Sequence, residues 1–303
     1  MLNELTLFGE RCKDDIAVKL LQFYEPLALE RDPRGYSVGY SGGKDSLVLK
    51  QLFHEAGVKH FCRYNITGLD APEVVYFIRR KFEEYKSEGV PCSQIMYKRN
   101  IIKQMEAHGT PPTRLIRYCC QELKESRSAD FAHCVMSFGV RKYESNNRAQ
   151  NRDELEVGRK LFSFDDSEKR QQFEVCYASG SSGEIRVNPI AYWTESDVWE
   201  FIHDRKLEYC SLYDEGFKRL GCIGCPMAGK KRLMEFERFP AFERIWRKGF
   251  EAMWNARQAK IKAGSSPPIK FQSVEEWWDW WLELTPKGEM FDDNQLVIES
   301  LNP

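Results

Sequence analysis

Apolar residues along the chain follow two alternating rhythms. Short runs rich in β-branched and aromatic residues, at 36–40, 58–66, 93–97, 133–138 and 185–190, predict strands. Between them the apolar spacing turns helical. Ile16, Leu20, Leu21 and Tyr24 mark one face over 13–30, and Leu49, Leu52 and Phe53 mark another over 46–56, with Gly57 as its C-terminal cap. Pro72 opens a helix reaching about Tyr85, 101–107 forms a short one, and Thr194-Glu-Ser-Asp197 supplies an N-cap and acidic first turn for a helix to about Arg205. Strands alternating with helices predict an α/β fold with a doubly wound, mostly parallel sheet. Such sheets bind ligands at the carboxyl ends of their strands.

From Lys230 onward the pattern is helical and aromatic, predicting a helical C-terminal extension. Ser273-Val-Glu-Glu276 reads as a capping box and precedes Trp277, Trp278, Trp280 and Trp281. Stacking nucleic-acid bases is one use for such a cluster. Packing a helix onto the core is the reading adopted. Residues 144–183 are polar and predict a long mobile excursion. The expected division is an N-terminal helix over 1–33, an α/β nucleotide-binding domain over 34–228 and a Trp-rich helical region over 229–303.

Composition narrows the class. The 303 residues are 42% apolar and 30% charged, as in a globular chain. No apolar run approaches the ~20 residues of a membrane span, and Met-Leu-Asn-Glu-Leu lacks a signal-peptide pattern. A cytoplasmic protein without a membrane partner is expected. The net charge of −1 announces no global basic field for nucleic acid. Ten cysteines in a cytosolic chain point to metal or thiol chemistry rather than disulfides.

The strand at 36–40 runs directly into Ser41-Gly42-Gly43-Lys44-Asp45-Ser46 and the next helix. Two glycines allow close backbone approach and positive φ. The helix start aims unpaired N–H groups and the positive end of its dipole at the same place. Lys44 adds a mobile cation. This combination suits a pyrophosphate. It is not a Walker A loop, because Val38 stands where that pattern needs glycine and Asp45 where it needs Ser or Thr.

Four cysteines stand out as two pairs, Cys119-Cys120 and Cys222-Ile-Gly-Cys225. The second is a C-x-x-C of metal or redox spacing. Adjacent side chains point to opposite faces of a strand or diverge by ~100° in a helix, so one tetrahedral ion is hard to reach from both Cys119 and Cys120. A [4Fe–4S] cube is wider and takes each thiolate on a different iron. Structural zinc and unrelated buried thiols are the alternatives. Cys12, Cys62, Cys92, Cys134, Cys176 and Cys210 read as ordinary buried thiols.

Ser41 to Ser46 resembles the PP-loop of the adenine nucleotide α-hydrolase superfamily. Arg117-Tyr-Cys119-Cys120-Gln-Glu-Leu-Lys124 together with Gly221-Cys222-Ile-Gly-Cys225-Pro226 resembles the phosphoadenosine phosphosulfate reductase family, and within it the iron–sulfur members. Gly139-Val-Arg-Lys-Tyr-Glu-Ser145, Asn188-Pro-Ile190 with Trp193 and Asp197-Val-Trp199, and Leu212-Tyr-Asp-Glu-Gly-Phe-Lys-Arg219 also look family-like. The resemblance implies that Ser41, Gly42, Gly43, Lys44, Asp45 and Ser46 hold phosphate, that Asp45 helps bind Mg²⁺, and that Cys119, Cys120, Cys222 and Cys225 hold a [4Fe–4S] cluster. Thr67, Arg141 and Arg148 become candidate nucleotide contacts, guanidinium forks being suited to phosphate oxygens.

Two reactions share this resemblance. Sulfonucleotide reductases carry a catalytic thiol in a Glu-Cys-Gly-Leu-His-like tail, and no cysteine follows Cys225 here. The sequence is more similar to the DndC and SspD proteins of DNA phosphorothioation, in the PP-loop, in Asn65-Ile-Thr with Pro72-Glu73, and in the four cysteines. The expected activity is therefore an ATP pyrophosphatase that adenylates an acceptor for sulfur insertion, with Lys44 and Asp45 catalytic. ATP, DNA, a cysteine desulfurase and other DNA-modification subunits are the implied partners. A nucleotide-gated, non-catalytic component of a DNA-modification or defence complex is a further alternative.

Overall fold

The computed structural model describes residues 3–6, 9–97, 99–125, 131, 133–144, 146–157, 160–162 and 184–282. The chain divides into two compact units. One comprises Met1–Tyr64, Pro72–Gln94 and Arg127–Leu220; the other comprises Asn65–Ala71, Ile95–Ser126 and Gly221–Pro303.

The first unit is α/β. An antiparallel hairpin, β1 (Asn3–Thr6) and β2 (Gly9–Cys12), precedes helix α1 (Lys13–Arg31). α1 buries Ala17, Leu20, Leu21, Tyr24 and Ala28; Leu20, Leu21 and Tyr24 belong to the predicted apolar face, while Ile16, also expected on it, is only half-buried. A seven-stranded sheet follows, from β3 (Tyr36–Gly39), β4 (His60–Ile66), β5 (Cys92–Met96), β6 (Met136–Ser137), β7 (Leu155–Val157), β8 (Lys160–Phe162) and β9 (Ile185–Val187). The order is β5-β4-β3-β6-β9-β7-β8. β3 pairs in parallel with β4 and β6, and β6 with β9; β7 runs antiparallel to β9 and β8. The mostly parallel, doubly wound sheet matches the alternation in the sequence. Its crossover helices include α2 (Lys44–Ala56) and α3 (Pro72–Ser87). Gly57 caps α2 at φ 66°, the left-handed conformation glycine adopts without a Cβ penalty.

Three elements differ from expectation, the first being the β1–β2 hairpin at the start of the region over 1–33 that was expected to be helix alone. The strand predicted over 133–138 is confined to Met136–Ser137, with His133 and Cys134 in the turn ahead of it. Within the polar stretch, 155–157 and 160–162 form an antiparallel edge hairpin, and 163–183 lies outside the described residues. Glu156 explains why a strand hides in polar sequence: it is buried, yet its carboxylate accepts from Asn188 Nδ2 at 2.7 Å and from Arg152 Nη1 at 2.8 Å. A buried charge with both partners in place is tolerated.

The second unit is helical. It contains α4 (Ile101–His108) and, beyond a later helix of the first unit, α5 (Glu195–Asp204), three C-terminal helices: α6 (Lys231–Arg238), α7 (Pro240–Lys262) and α8 (Val274–Trp281). Gly249 lets α7 approach α4, since a Cβ there would lie 2.7 Å from Met105 Sδ. Trp277, Trp278 and Trp281 are buried, and Phe250 sits edge-on to all three. The tryptophans are core. Ser273 accepts from the Glu276 N–H, but Glu276 reaches back to the Gln272 N–H rather than to that of Ser273, so the capping box closes one residue early. Among the described residues no helix is long and apolar enough to cross a membrane.

Candidate functional site

In the first unit β3 delivers Tyr40, buried against Phe82 and Tyr85, and the chain then turns at Ser41-Gly42-Gly43 into α2. Ser46 braces the turn. Its hydroxyl donates to Gly43 O at 2.8 Å and accepts from the Ser41 N–H at 3.2 Å. Gly42 has φ 73°, and a Cβ there would lie 2.7 Å from Ile78 Cγ1. Backbone conformation and packing under α3 both require glycine. Among the described residues the Gly42 and Gly43 N–H groups meet no acceptor. Open amides at a helix start suit an anion.

Four charges meet at this loop. Lys44 is only 3% exposed, with Nζ 3.5 Å from Asp45 Oδ2 and 3.4 Å from Glu195 Oε1. Arg141, equally buried, sends Nε to Asp45 Oδ1 at 2.6 Å and Nη2 to Glu195 Oε2 at 2.9 Å. Two cations and two carboxylates thus alternate around the first turn of α2. Burial opposes ionisation of Glu195, but Lys44 and Arg141 outweigh it and hold its pKa below the ordinary carboxylate range. The Lys44 N–H donates to the Tyr213 hydroxyl at 2.9 Å, and burial pushes that phenol's pKa well up, keeping it neutral. Gly139 lets the segment bearing Arg141 press on the loop, since a Cβ there would lie 2.8 Å from the Asp45 carbonyl carbon. Arg148 pairs with Glu144; burial first, then the like charges of Arg219 and Arg152, bring its pKa down to about 10.

The second unit holds all four singled-out cysteines. Cys119 and Cys120 end one helical turn that widens into a π-type turn over Gln121–Glu125. Cys222 forms an isolated antiparallel bridge with Asp70, the Ile223 N–H donates to Leu69 O at 2.7 Å, and the Cys225 N–H reaches Cys222 O at 3.3 Å. Gly224 has φ 77°, and a Cβ there would lie 2.4 Å from Trp246 Nε1. The neighbouring Cys119 thiol lowers the pKa of Cys120 against the effect of burial, with Arg117 and Lys124 assisting, and Cys120 in turn raises that of Cys119. Burial raises Cys222. The charges of Cys222 and then Asp70 raise the pKa of Lys124. Thr67 belongs to this unit. Its hydroxyl donates to Asp70 at 2.8 Å, accepts from the Leu69 N–H at 3.0 Å, and lies 3.6 Å from Cys222 Sγ.

No three of these four sulfur atoms lie mutually within 4.8 Å. Thiolates on one zinc, each ~2.3 Å from the ion, would stand about 3.8 Å apart. The spread does not match a single-ion site.

Glu195, Tyr213 and Gly139 were not predicted as site residues. Glu195 read only as an acidic helix start, and Tyr213 and Gly139 lay inside family-like segments without an assigned role. What joins them to Lys44 is tertiary, as is the pairing of Lys124 and Asp70 with Cys222.

The chain is 28% identical over 226 residues to an uncharacterised protein of Methanocaldococcus jannaschii, covering 72% of this chain and 41% of that relative. It therefore spans about two fifths of the length of that curated relative. An adenosine 5'-phosphosulfate reductase of Salinibacter ruber is 34% identical over 61 residues, 20% of this chain and 24% of that one. A solved phosphoadenylyl-sulfate reductase from Candida auris, in a phosphate complex, is similar in shape with a TM-score of 0.45 at 17% identity, covering 72% of this chain and 96% of that one. The family model described as the phosphoadenosine phosphosulfate reductase domain matches residues 35–228, well over half of the sequence, and the chain belongs to that family.

Proposed function

We propose that this chain cleaves ATP between its α and β phosphates and transfers the adenylyl group to an acceptor oxygen, which sulfur then replaces. The observation that carries the reading is the convergence, on one strand-to-helix turn, of the open Gly42 and Gly43 amides with buried Lys44 and Arg141. Phosphate oxygens entering the turn compete with Asp45 and Glu195 for the two cations. Lys44 and the loop amides then stabilise charge on the departing pyrophosphate. The acceptor oxygen attacks the α phosphorus as the bond to the bridging oxygen of the β phosphate breaks. AMP becomes the later leaving group, which an oxygen-for-sulfur exchange needs.

Asp45 and Glu195 are hard oxygen donors of the type Mg²⁺ takes, and Asp45 is the residue assigned to hold it; bound Mg²⁺ would neutralise phosphate oxygens. Cys119, Cys120, Cys222 and Cys225 would hold a [4Fe–4S] cluster, which would relay sulfur or electrons or only hold two chain segments together. The acceptor is assigned as a DNA backbone phosphate, with a cysteine desulfurase and other DNA-modification subunits as partners. Sulfonucleotide reduction is the second reading, favoured by the family match itself.

The test is an anaerobic single-turnover assay with ATP and DNA. AMP and pyrophosphate from the parent but not from Lys44→Ala support adenylyl transfer. Sulfite from a sulfonucleotide with added thioredoxin, and no AMP from ATP, would establish the reductase instead. ATP bound without turnover would make the chain a nucleotide-gated component.

A further inference from the structure

Two turns of the first unit bring three metal-type donors together at the end of the sheet where β3 and β6 begin, opposite the Ser41–Ser46 loop. Asp32, 2% exposed, directly follows α1 and leads into β3. His133 and Cys134 lead into β6, the parallel neighbour of β3. Asp32 Oδ2 lies 3.3 Å from Cys134 Sγ and 3.6 Å from His133 Nε2. One ligand atom from each of the three lies within 4.8 Å of the others. This is the spread that the four cysteines of the second unit do not have. A carboxylate, an imidazole and a thiolate with a fourth position open are the donor set of a tetrahedral site for a borderline cation.

The carboxylate is already oriented. Asp32 Oδ1 accepts from the Arg34 N–H at 2.8 Å and from Arg34 Nε at 2.9 Å. Hydrogen bonds of this kind fix a ligating carboxylate from behind. Arg34 Nη2 also lies 2.7 Å from Oδ2, the atom a cation would take. That side chain is 44% exposed and lies 4.3 Å over the Phe61 ring, so it can release Oδ2 at the surface. His133 is 56% exposed, with Nε2 already 3.6 Å from Asp32 Oδ2. The Cys134 S–H donates to Asp32, so a cation entering here displaces that proton from between sulfur and carboxylate.

We propose that Asp32, His133 and Cys134 form a site for one borderline divalent cation, Zn²⁺ in the first instance, tying the turn before β3 to the start of β6. The proposal is independent of the reaction at the nucleotide loop.

The test uses the full chain, purified anaerobically with its other cysteines intact and titrated with Zn²⁺ alone. Bound equivalents are counted after dialysis, and Co²⁺ replaces Zn²⁺ as an optical probe of sulfur ligation. The other cysteines contribute equally to the parent and to variants at this site, so differences report the site alone. His133→Ala should weaken one equivalent at least about tenfold, given the 10–100-fold loss when even an outer partner is removed. Cys134→Ser should lose the matching share of the sulfur-to-cobalt absorption. Arg34→Gln, which removes the competing cation from Oδ2 and leaves the backbone N–H of residue 34 on Oδ1, should bind more tightly. If Cys134→Ser fails to fold, His133→Ala alters only an exposed side chain and gives the same answer. Equal equivalents and affinity in the parent and His133→Ala would overturn the site, and weaker binding by Arg34→Gln would overturn the role given to Oδ2.

Discussion

Arg141 Nε stands 2.6 Å from Asp45 Oδ1, joining residues 96 positions apart in the chain. Arg141 also bonds Glu195, so one guanidinium spans two carboxylates. Arg141→Ala should leave both facing Lys44 alone. The expected results are weaker ATP binding and a loss of about 1–3 kcal/mol in stability, as for a buried group stripped of its partner. Arg141→Lys should not restore binding, because an ammonium lacks the fork that reaches both carboxylates. Nucleotide titration and thermal melts of both variants check this; full binding by the lysine variant would refute it.

Lys44 is buried beside the open amides of the turn. Lys44→Ala should slow ATP cleavage by at least about 10²-fold, the usual loss when one preorganised donor is removed. Iron content should be unchanged. Product chromatography and iron analysis on one preparation separate the two, and iron lost together with activity would count against a local effect.

Two glycine substitutions should behave differently. A Cβ at Gly139 would meet the backbone of Asp45 at 2.8 Å, and backbone cannot rotate away. Gly139→Ala should displace the loop, cost about 1–3 kcal/mol and abolish ATP cleavage. Gly57 has positive φ but nothing within 4 Å of a Cβ. Gly57→Ala should cost only about 1–2 kcal/mol of backbone strain and keep activity. Matched urea curves and assays decide, and similar activity losses in both would sink the distinction.

Asp197 supplies the pH-dependent case. It accepts from Lys13 at 2.7 Å and from the Thr194 N–H at 2.6 Å. Burial opposes its charge, but Lys13 and Thr194 prevail and lower its pKa. A depressed folded pKa gives stability that is fully present above the unfolded value of ~3.9 and is lost as pH falls through the folded value. Asp197→Ala should therefore cost about 1 kcal/mol at neutral pH, as for a lost cap, and progressively less below about pH 4. Urea midpoints at pH 7 and pH 3 test it, and an equal gap at both would rule out the ion pair as the cause.

Trp246 Nε1 donates to Ile223 O at 2.9 Å, inside the Cys222–Cys225 turn. Trp246→Phe keeps most of the ring and removes this bond. The expected cost is about 1–3 kcal/mol for the buried carbonyl left unpaired, together with faster loss of iron to a chelator. Chelation kinetics at fixed temperature check this, with Trp277→Phe as the comparison that should leave the rate unchanged.

The local elements were legible because local rules govern them. Tyr36 to Ser46 announces strand, turn and helix start through β-branched residues, paired glycines and an acidic first turn. The tryptophans of α8 read correctly as core because their spacing puts three on one buried face. Long-range partners were not legible. Nothing in Thr194-Glu-Ser-Asp197 distinguishes Glu195, which binds the buried cations, from Asp197, which caps the helix and holds Lys13. Glu156 made a strand resemble a loop, because its partners Arg152 and Asn188 identify it as a buried charge only after folding.

The second unit is drawn from Asn65–Ala71, Ile95–Ser126 and Gly221–Pro303. The separation has a consequence for biosynthesis. Translation at 5–20 residues per second releases Cys119 and Cys120 on the order of ten seconds before Cys222. Throughout that interval the early thiols have neither Cys222 nor the C-terminal helices available to them. A cluster held by all four cysteines would therefore be assembled only after Cys222 has been made, and no fragment that stops short of Cys222 could receive it whole.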